Sequence, residues 1–172
     1  MEYLKKSKRN LRLITTTGGY VPADLITGNR VGYLVQGAGL PPLPSQSEGR
    51  WIGKARPELW DDLLFAWKVA TLAKSNAVAL AKDLAAVGIG GGFTNRADAA
   101  EFAVNSAGDR AVGSVLASDA FLPFHDTVEI ASIAGVTAII QPGGSIRDED
   151  VENRALELGV DMFVGCARAF RH

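Results

Sequence analysis

The sequence has one cysteine, Cys166, so no disulfide can form within the chain and a disulfide-stapled extracellular fold is excluded. It has two histidines, His125 and His172, and neither a Cys-x-x-Cys nor a His-x-Glu pair. That inventory cannot assemble a zinc centre of the deaminase type, and no metal is expected. No apolar run approaches the roughly 20 residues that a membrane span needs. A charged segment leading into an apolar stretch and a small-residue cleavage site is also missing, so a cytoplasmic chain is expected. Charge of either sign is scarce in excess: the net value is −1. This gives no long-range attraction to nucleic acid or to an anionic membrane. The one concentrated charge, at Lys5, Lys6, Lys8 and Arg9, reads first as a solvated tail, with phosphate contact as the other reading.

What is present describes a globular domain. With 172 residues, 47% hydrophobic and 22% charged, the chain can bury a core and fits one domain. Composition shifts near Trp51. Residues 1–50 read as an N-terminal extension, with short strands at 11–14 and 31–36 and an extended Pro-rich linker at 40–46. Residues 51–172 alternate regularly. Helical spacing covers 59–74, with Pro57 near its start. Strands follow at 77–81 and 85–89 as a hairpin, then a helix at 94–105 capped by Thr94 or Asn95. Next come a strand at 113–117, a helix at 126–134 stopped by Gly135, and the strongly β-type run 136–140. A helix at 145–158 opens on a capping-box-like Ser145-x-x-Asp148 and stops at Gly159, and 161–164 is the last strand. Such alternation predicts an α/β fold: a mixed, mostly parallel sheet covered on both faces, with 136–140 near its centre.

Four loops gather unusual residues at strand ends, where open α/β sheets bind ligands. Lys74-Ser75-Asn76 could hold a polar substrate, or simply end a helix. Residues 88–96 (Gly-Ile-Gly-Gly-Gly-Phe-Thr-Asn-Arg) could admit an anion to backbone N–H groups, or only make a tight turn. They do not form G-x-G-x-x-G, since the sixth position is Phe93. In residues 118–126, Phe121 and Phe124 could sandwich a flat heterocycle while Asp126 accepts from ring N–H groups. Asp119 and Asp126 could equally cap a helix, and the phenylalanines could be core. The polar density of that loop favours a ligand. Gln141-Pro142-Gly143-Gly144-Ser145 offers free N–H groups to a carboxylate, phosphate or ring carbonyl. Cys166 lacks a local base and reads as a buried small residue.

Several stretches together resemble the AICAR transformylase family. They are Asp62-Leu-Leu-Phe-Ala-Trp-Lys68, Lys74-Ser-Asn76, Val87-Gly-Ile-Gly90, Leu116-Ala-Ser-Asp-Ala-Phe121, the run from Ala134 to Asp148, and Phe170-Arg-His172. The resemblance runs from about Trp60 to the end, with echoes at 11–13 and 34–36, and 15–50 follows the family poorly. It implies a cytidine-deaminase-like three-layer α/β/α sandwich without zinc, matching the second of two tandem subdomains. It also implies transfer of a formyl group from 10-formyltetrahydrofolate to an amine of an aminoimidazole carboxamide ribotide or related molecule. By position, Asn76, Phe121 and Arg168 would contact the ribotide. Pro123, Phe124, Asp126, Thr127, Gly143, Gly144 and Ser145 would border the folate. The family's catalytic Lys-His pair belongs to the first subdomain, which this sequence does not match. His125 is the one candidate acid–base near the expected pterin loop. The resemblance implies a homodimer, or a partner chain carrying the catalytic half. A non-catalytic folate- or nucleotide-binding subunit is the alternative.

Overall fold

The computed structural model describes residues 25–29, 32–37 and 39–172. The strand expected at 11–14 and the basic run at 5–9 lie outside them. Strands β1 (Leu25–Asn29) and β2 (Gly32–Gln36) form an antiparallel hairpin, with Ile26 opposite Val35. Residues 37–45 then lead, without regular structure where described, into β3 (Arg50–Ile52). The boundary expected between 50 and 51 falls inside this strand.

From there the elements alternate. Helix α1 (Trp60–Leu72) precedes β4 (Val78–Lys82) and β5 (Ala85–Gly90). Helix α2 (Arg96–Ala107) leads to β6 (Val115–Ser118), α3 (Asp126–Ile133) to β7 (Ala138–Gln141), and α4 (Asp148–Leu158) to β8 (Asp161–Val164). Asn95 caps α2, its side chain accepting from Asp98 N at 2.8 Å. Several starts fall later than expected: α2 at Arg96 rather than 94, β6 at Val115 rather than 113, β7 at Ala138 rather than 136, and α4 most of all. Helix α4 begins at Asp148 rather than Ser145, because Ser145 spends its hydroxyl on Arg147 N and the Asp148 carboxylate reaches back to Ser145 N.

Six strands lie in the order β3-β8-β7-β6-β4-β5. Strands β6, β7 and β8 pair in parallel, while β3, β4 and the β4–β5 hairpin pair antiparallel. Strands β5 to β8 therefore share one direction, and the expected mixed sheet is present with β7 near its centre. Strand alternation sorts the core into two layers. Ala79, Ala81, Val115, Ala117, Ala138, Ile140 and Phe163 face α1, where Leu63, Ala66, Trp67 and Ala70 meet them. Val78, Leu80, Leu116, Ile139 and Met162 face the other way, against α2, α3 and α4. Small residues on the first face make room for the Trp67 indole, and edge-on packing of Trp51 and Trp60 against Phe163 completes that side.

On the second face α2 lies against β5 at backbone distance. A Cβ placed on Gly88 or Gly90 would stand 2.0 Å from Ala103 O or 2.1 Å from Ala99 O. Glycine on the strand and alanine on the helix are the pair that permits this approach.

Candidate functional site

Strand direction decides where the loops meet. Strands β6, β7 and β8 end at Ser118, Gln141 and Val164 on one edge of the sheet. Strand β4 starts at that edge, with Val78 opposite Ser118, and β5 ends there, with Gly90 opposite Val78. Residues 73–77, 91–95, 119–125, 142–147 and 165–172 consequently gather along one rim, the usual ligand edge of an open α/β sheet.

Asp119 fastens three of these stretches and the first residue of α2 together. Its side chain is fully buried and pairs with the Arg96 guanidinium at 2.7 Å, itself 7% exposed. Ser75 Oγ donates to the other carboxylate oxygen, and Ala169 N donates to the Asp119 carbonyl at 2.8 Å. Arg96 Nε also donates to Ser118 Oγ at 2.7 Å. Burying these charges is tolerable only because each is paired and hydrogen-bonded. Neither Arg96 nor Asp119 is a helix cap.

Gln141 does for the β7 end what Asp119 does for β6. Wholly buried, its Oε1 accepts from Leu122 N at 3.1 Å and Gly143 N at 3.2 Å. Asp148 then accepts from Gly144 N at 2.6 Å and from Ser145 N at 3.1 Å. The expectation of free N–H groups at 142–145 is thus corrected: the loop spends them on its own side chains. Gly143 and Gly144 both hold positive φ, 74° and 96°, which explains the glycine pair.

The sequence-predicted residues sit along this rim as follows. Asn76 is half-buried, and its Nδ2 donates to the carbonyls of Phe93 and Thr94 at 3.1 and 3.2 Å, which binds the glycine-rich loop to the end of α1. Phe121 and Pro123 are half-buried. Phe124 is 50% exposed, and one face already carries the Arg147 guanidinium, 4.8 Å from the ring centroid. Asp126 is half-buried and accepts from Thr127 N at 2.7 Å, while Thr127 itself is fully buried. His125 is more than half exposed, with Nδ1 3.3 Å from Glu129, whose carboxylate also binds Arg154 at 2.9 Å. Arg168 is exposed, its guanidinium 5.0 Å from the Phe170 ring centroid.

Arg168 and Phe170 line a cleft of about 260 Å³ together with Thr71, Leu40 and Gln36. Sequence reasoning missed three organising residues here, Arg96, Gln141 and Gln36. Only Gln141 had a signal, since it is a polar residue ending a run of buried apolar ones. Behind the rim, Cys166 is buried, and desolvation pushes its thiol up to about 12. The Trp67 indole N–H beside it has no hydrogen-bond partner of normal geometry among the described residues. Among the described residues no cluster of His, Cys, Asp and Glu is grouped to hold a metal ion.

Comparison with known proteins bears on nearly the whole chain. The family model described as AICARFT/IMPCHase bienzyme matches residues 1–106. The bifunctional purine biosynthesis protein PurH of Bacillus cytotoxicus is 46% identical over 175 residues, covering 97% of this chain and 33% of its own length. The Bacillus subtilis protein of the same name is 44% identical over 170 residues, covering 96% and 33%. That of Anoxybacillus flavithermus is 56% identical over 119 residues, covering 69% and 23%. The chain spans about a third of the length of the curated relatives it matches over its whole extent. Among solved structures, Acinetobacter baumannii RibD (form 2) aligns over 63% of this chain and 36% of its own, with TM-score 0.46 and 16% identity. The similarity runs through residues 15–50 as well, beyond the Trp60 start that the motifs alone suggest.

Proposed function

The chain belongs to the AICARFT/IMPCHase bienzyme family, and from that membership we propose that it serves formyl transfer from 10-formyltetrahydrofolate to the amine of an aminoimidazole carboxamide ribotide or related molecule. On this reading the sandwich is cytidine-deaminase-like, and its ligand edge is the rim of loops. The observation that carries the reading is the Asp119 fastening, because one buried residue, through its carboxylate and its backbone carbonyl, ties the loops bearing Asn76, Phe121 and Arg168 to a single edge.

The chemistry then follows from the groups on that edge. The amine nitrogen attacks the formyl carbon, the carbon–N10 bond breaks, N10 gains a proton and the amine loses one. Arg168 offers a planar fork to a phosphate or carboxamide oxygen. Asn76 and Phe121 bound the ribotide. Pro123, Phe124 and Asp126 border the pterin, with Thr127 buried behind Asp126 and Gly143, Gly144 and Ser145 on the far side. His125 is the proposed acid–base. Two copies pairing as a homodimer would place two such rims in one assembly.

A specific observation favours a second reading. His125 Nδ1 is drawn to Glu129, which Arg154 also holds, so the imidazole is engaged on the α3–α4 surface. A partner chain would then supply the acid–base pair, and this chain would bind folate or nucleotide without turning it over. Tetrahydrofolate release from 10-formyltetrahydrofolate, with and without the ribotide, separates the two. Ribotide-dependent release by the purified chain supports the first reading, and its persistence in His125→Ala removes His125 from it. Folate binding without release supports the second. No binding of folate or ribotide by the purified chain, alone or with added partner, rejects both.

A further inference from the structure

Gln36 closes β2, and its side chain reaches across the fold to the C-terminal segment. Its Nε2 donates to the Phe170 carbonyl, and its Oε1 accepts from His172 N at 3.0 Å. Those two backbone groups flank Arg171 and are the pair that one residue of a neighbouring parallel strand would satisfy. A single primary amide therefore substitutes for a strand rung, 134 and 136 residues away from its partners in sequence.

The other side of the same segment is bonded to the domain. Ala169 N donates to Asp119 O, and the Arg171 carbonyl accepts from Ser75 N, both at 2.8 Å. Residues 168–172 are thus held between the domain and the β1–β2 hairpin. Arg168 lies at one end of this segment against Phe170, and both side chains and Gln36 line the same cleft. Without Gln36, one side of the backbone that carries Arg168 and Phe170 would lose its bonds while the other kept them.

We propose that Gln36 is a positioning residue: it fixes the segment 168–172 and so sets Arg168 and Phe170 in the wall that meets the ribotide. This rests on the reading of Arg168 as a ribotide contact, and the test is arranged to separate the two. Gln36→Ala removes both bonds. Gln36→Glu keeps an acceptor for His172 N and sets a carboxylate against the Phe170 carbonyl.

Two measurements on the 15N-labelled full chain decide the matter. The first is amide exchange at His172 and Ala169. The expected result is about tenfold faster exchange at His172 in Gln36→Ala, no change at Ala169, and His172 protection kept in Gln36→Glu. The second is ribotide affinity by calorimetry. The expected result is about tenfold weaker binding in Gln36→Ala, with an unchanged thermal midpoint, because the domain core does not depend on this contact. Unchanged affinity in Gln36→Ala, with the wild type binding, overturns the proposal and leaves the functional reading standing. A wild type that binds no ribotide, with His172 protection still dependent on Gln36, overturns the functional reading and leaves the clamp standing. Equal acceleration at Ala169 and His172, or a lowered midpoint, would make Gln36 a structural residue only and overturn the positioning role.

Discussion

Asp119→Asn removes one charge from a pair that has almost no contact with water. Asp119 is fully buried and Arg96 is 7% exposed, with 2.7 Å between them. The substitution keeps volume and keeps an oxygen for Ser75 Oγ, but turns an amide NH2 toward Arg96, so the guanidinium loses both its counter-ion and an acceptor. Leaving a buried guanidinium unpaired costs about 3–5 kcal/mol. For a chain of this size each kcal/mol moves the midpoint by about 2–4 °C, so a fall of about 10 °C is expected. Urea unfolding followed by tryptophan fluorescence should show a lower midpoint concentration with the same slope, since the surface exposed on unfolding is unchanged. The control is Arg96→Met with Asp119→Leu, which removes both charges. It should recover more than half of the loss, short of all of it because Ser75 and Ser118 lose partners. A loss under about 1 kcal/mol in Asp119→Asn, or a double variant no better than the single, would refute the buried-pair account.

Other expectations follow from the same structure. Cys166 should resist thiol reagents at pH 8 in the folded chain and react once urea unfolds it, because burial holds its thiol up to about 12. The folded state keeps that proton while the unfolded state loses it near 9.0, so stability present below pH 9 should decline by about 1.4 kcal/mol per pH unit as pH rises toward 12. Cys166→Ala should lose that decline, and an identical alkaline slope would reject the assignment. The β4–β5 turn places Asp83 and Leu84 at φ 53° and 56°, held by the Asp62 carboxylate at 3.0 and 2.7 Å. Asp83→Asn with Leu84→Gly should raise stability by about 1 kcal/mol in thermal unfolding, and a fall would reject the strain argument. Gly90→Ala should cost about 1–3 kcal/mol in urea unfolding, as its Cβ would meet Ala99 O, and a neutral result would mean that α2 can lift away from β5.

The sequence patterns that were read correctly are those carried by local chemistry. Within the run 136–140, Ala138, Ile139 and Ile140 are apolar without alternation because β7 is covered on both faces, and the hairpin, the Asn95 cap and the stop at Gly159 each have a signal within a few residues. Strand β3 has no such signal. Its three residues become a strand only against β8, where Trp51 lies opposite Phe163. Strand β1 contains Gly28 and finds its place only by pairing with β2. The site divides in the same way. Polar crowding at 118–126 marked the rim, but nothing near Arg96 in sequence announces Asp119, 23 residues on, and nothing near Gln36 announces Phe170. The offered N–H groups at 142–145 were misread because their acceptors, Gln141 and Asp148, differ in kind from backbone partners and leave no periodic trace.

The Asp119 fastening also sets an order of events during synthesis. Its partners are residues 75, 96 and 169, so the earliest and latest of them are separated by most of the chain. Helix α1 and the β4–β5 hairpin can form while translation proceeds, since their contacts are local. The rim cannot. Until residue 169 has emerged from the ribosome, the Asp119 carbonyl lacks its donor and the Arg168 segment has nowhere to dock. A nascent chain of this protein should therefore form α1 and the β4–β5 hairpin before it acquires any affinity for a ligand.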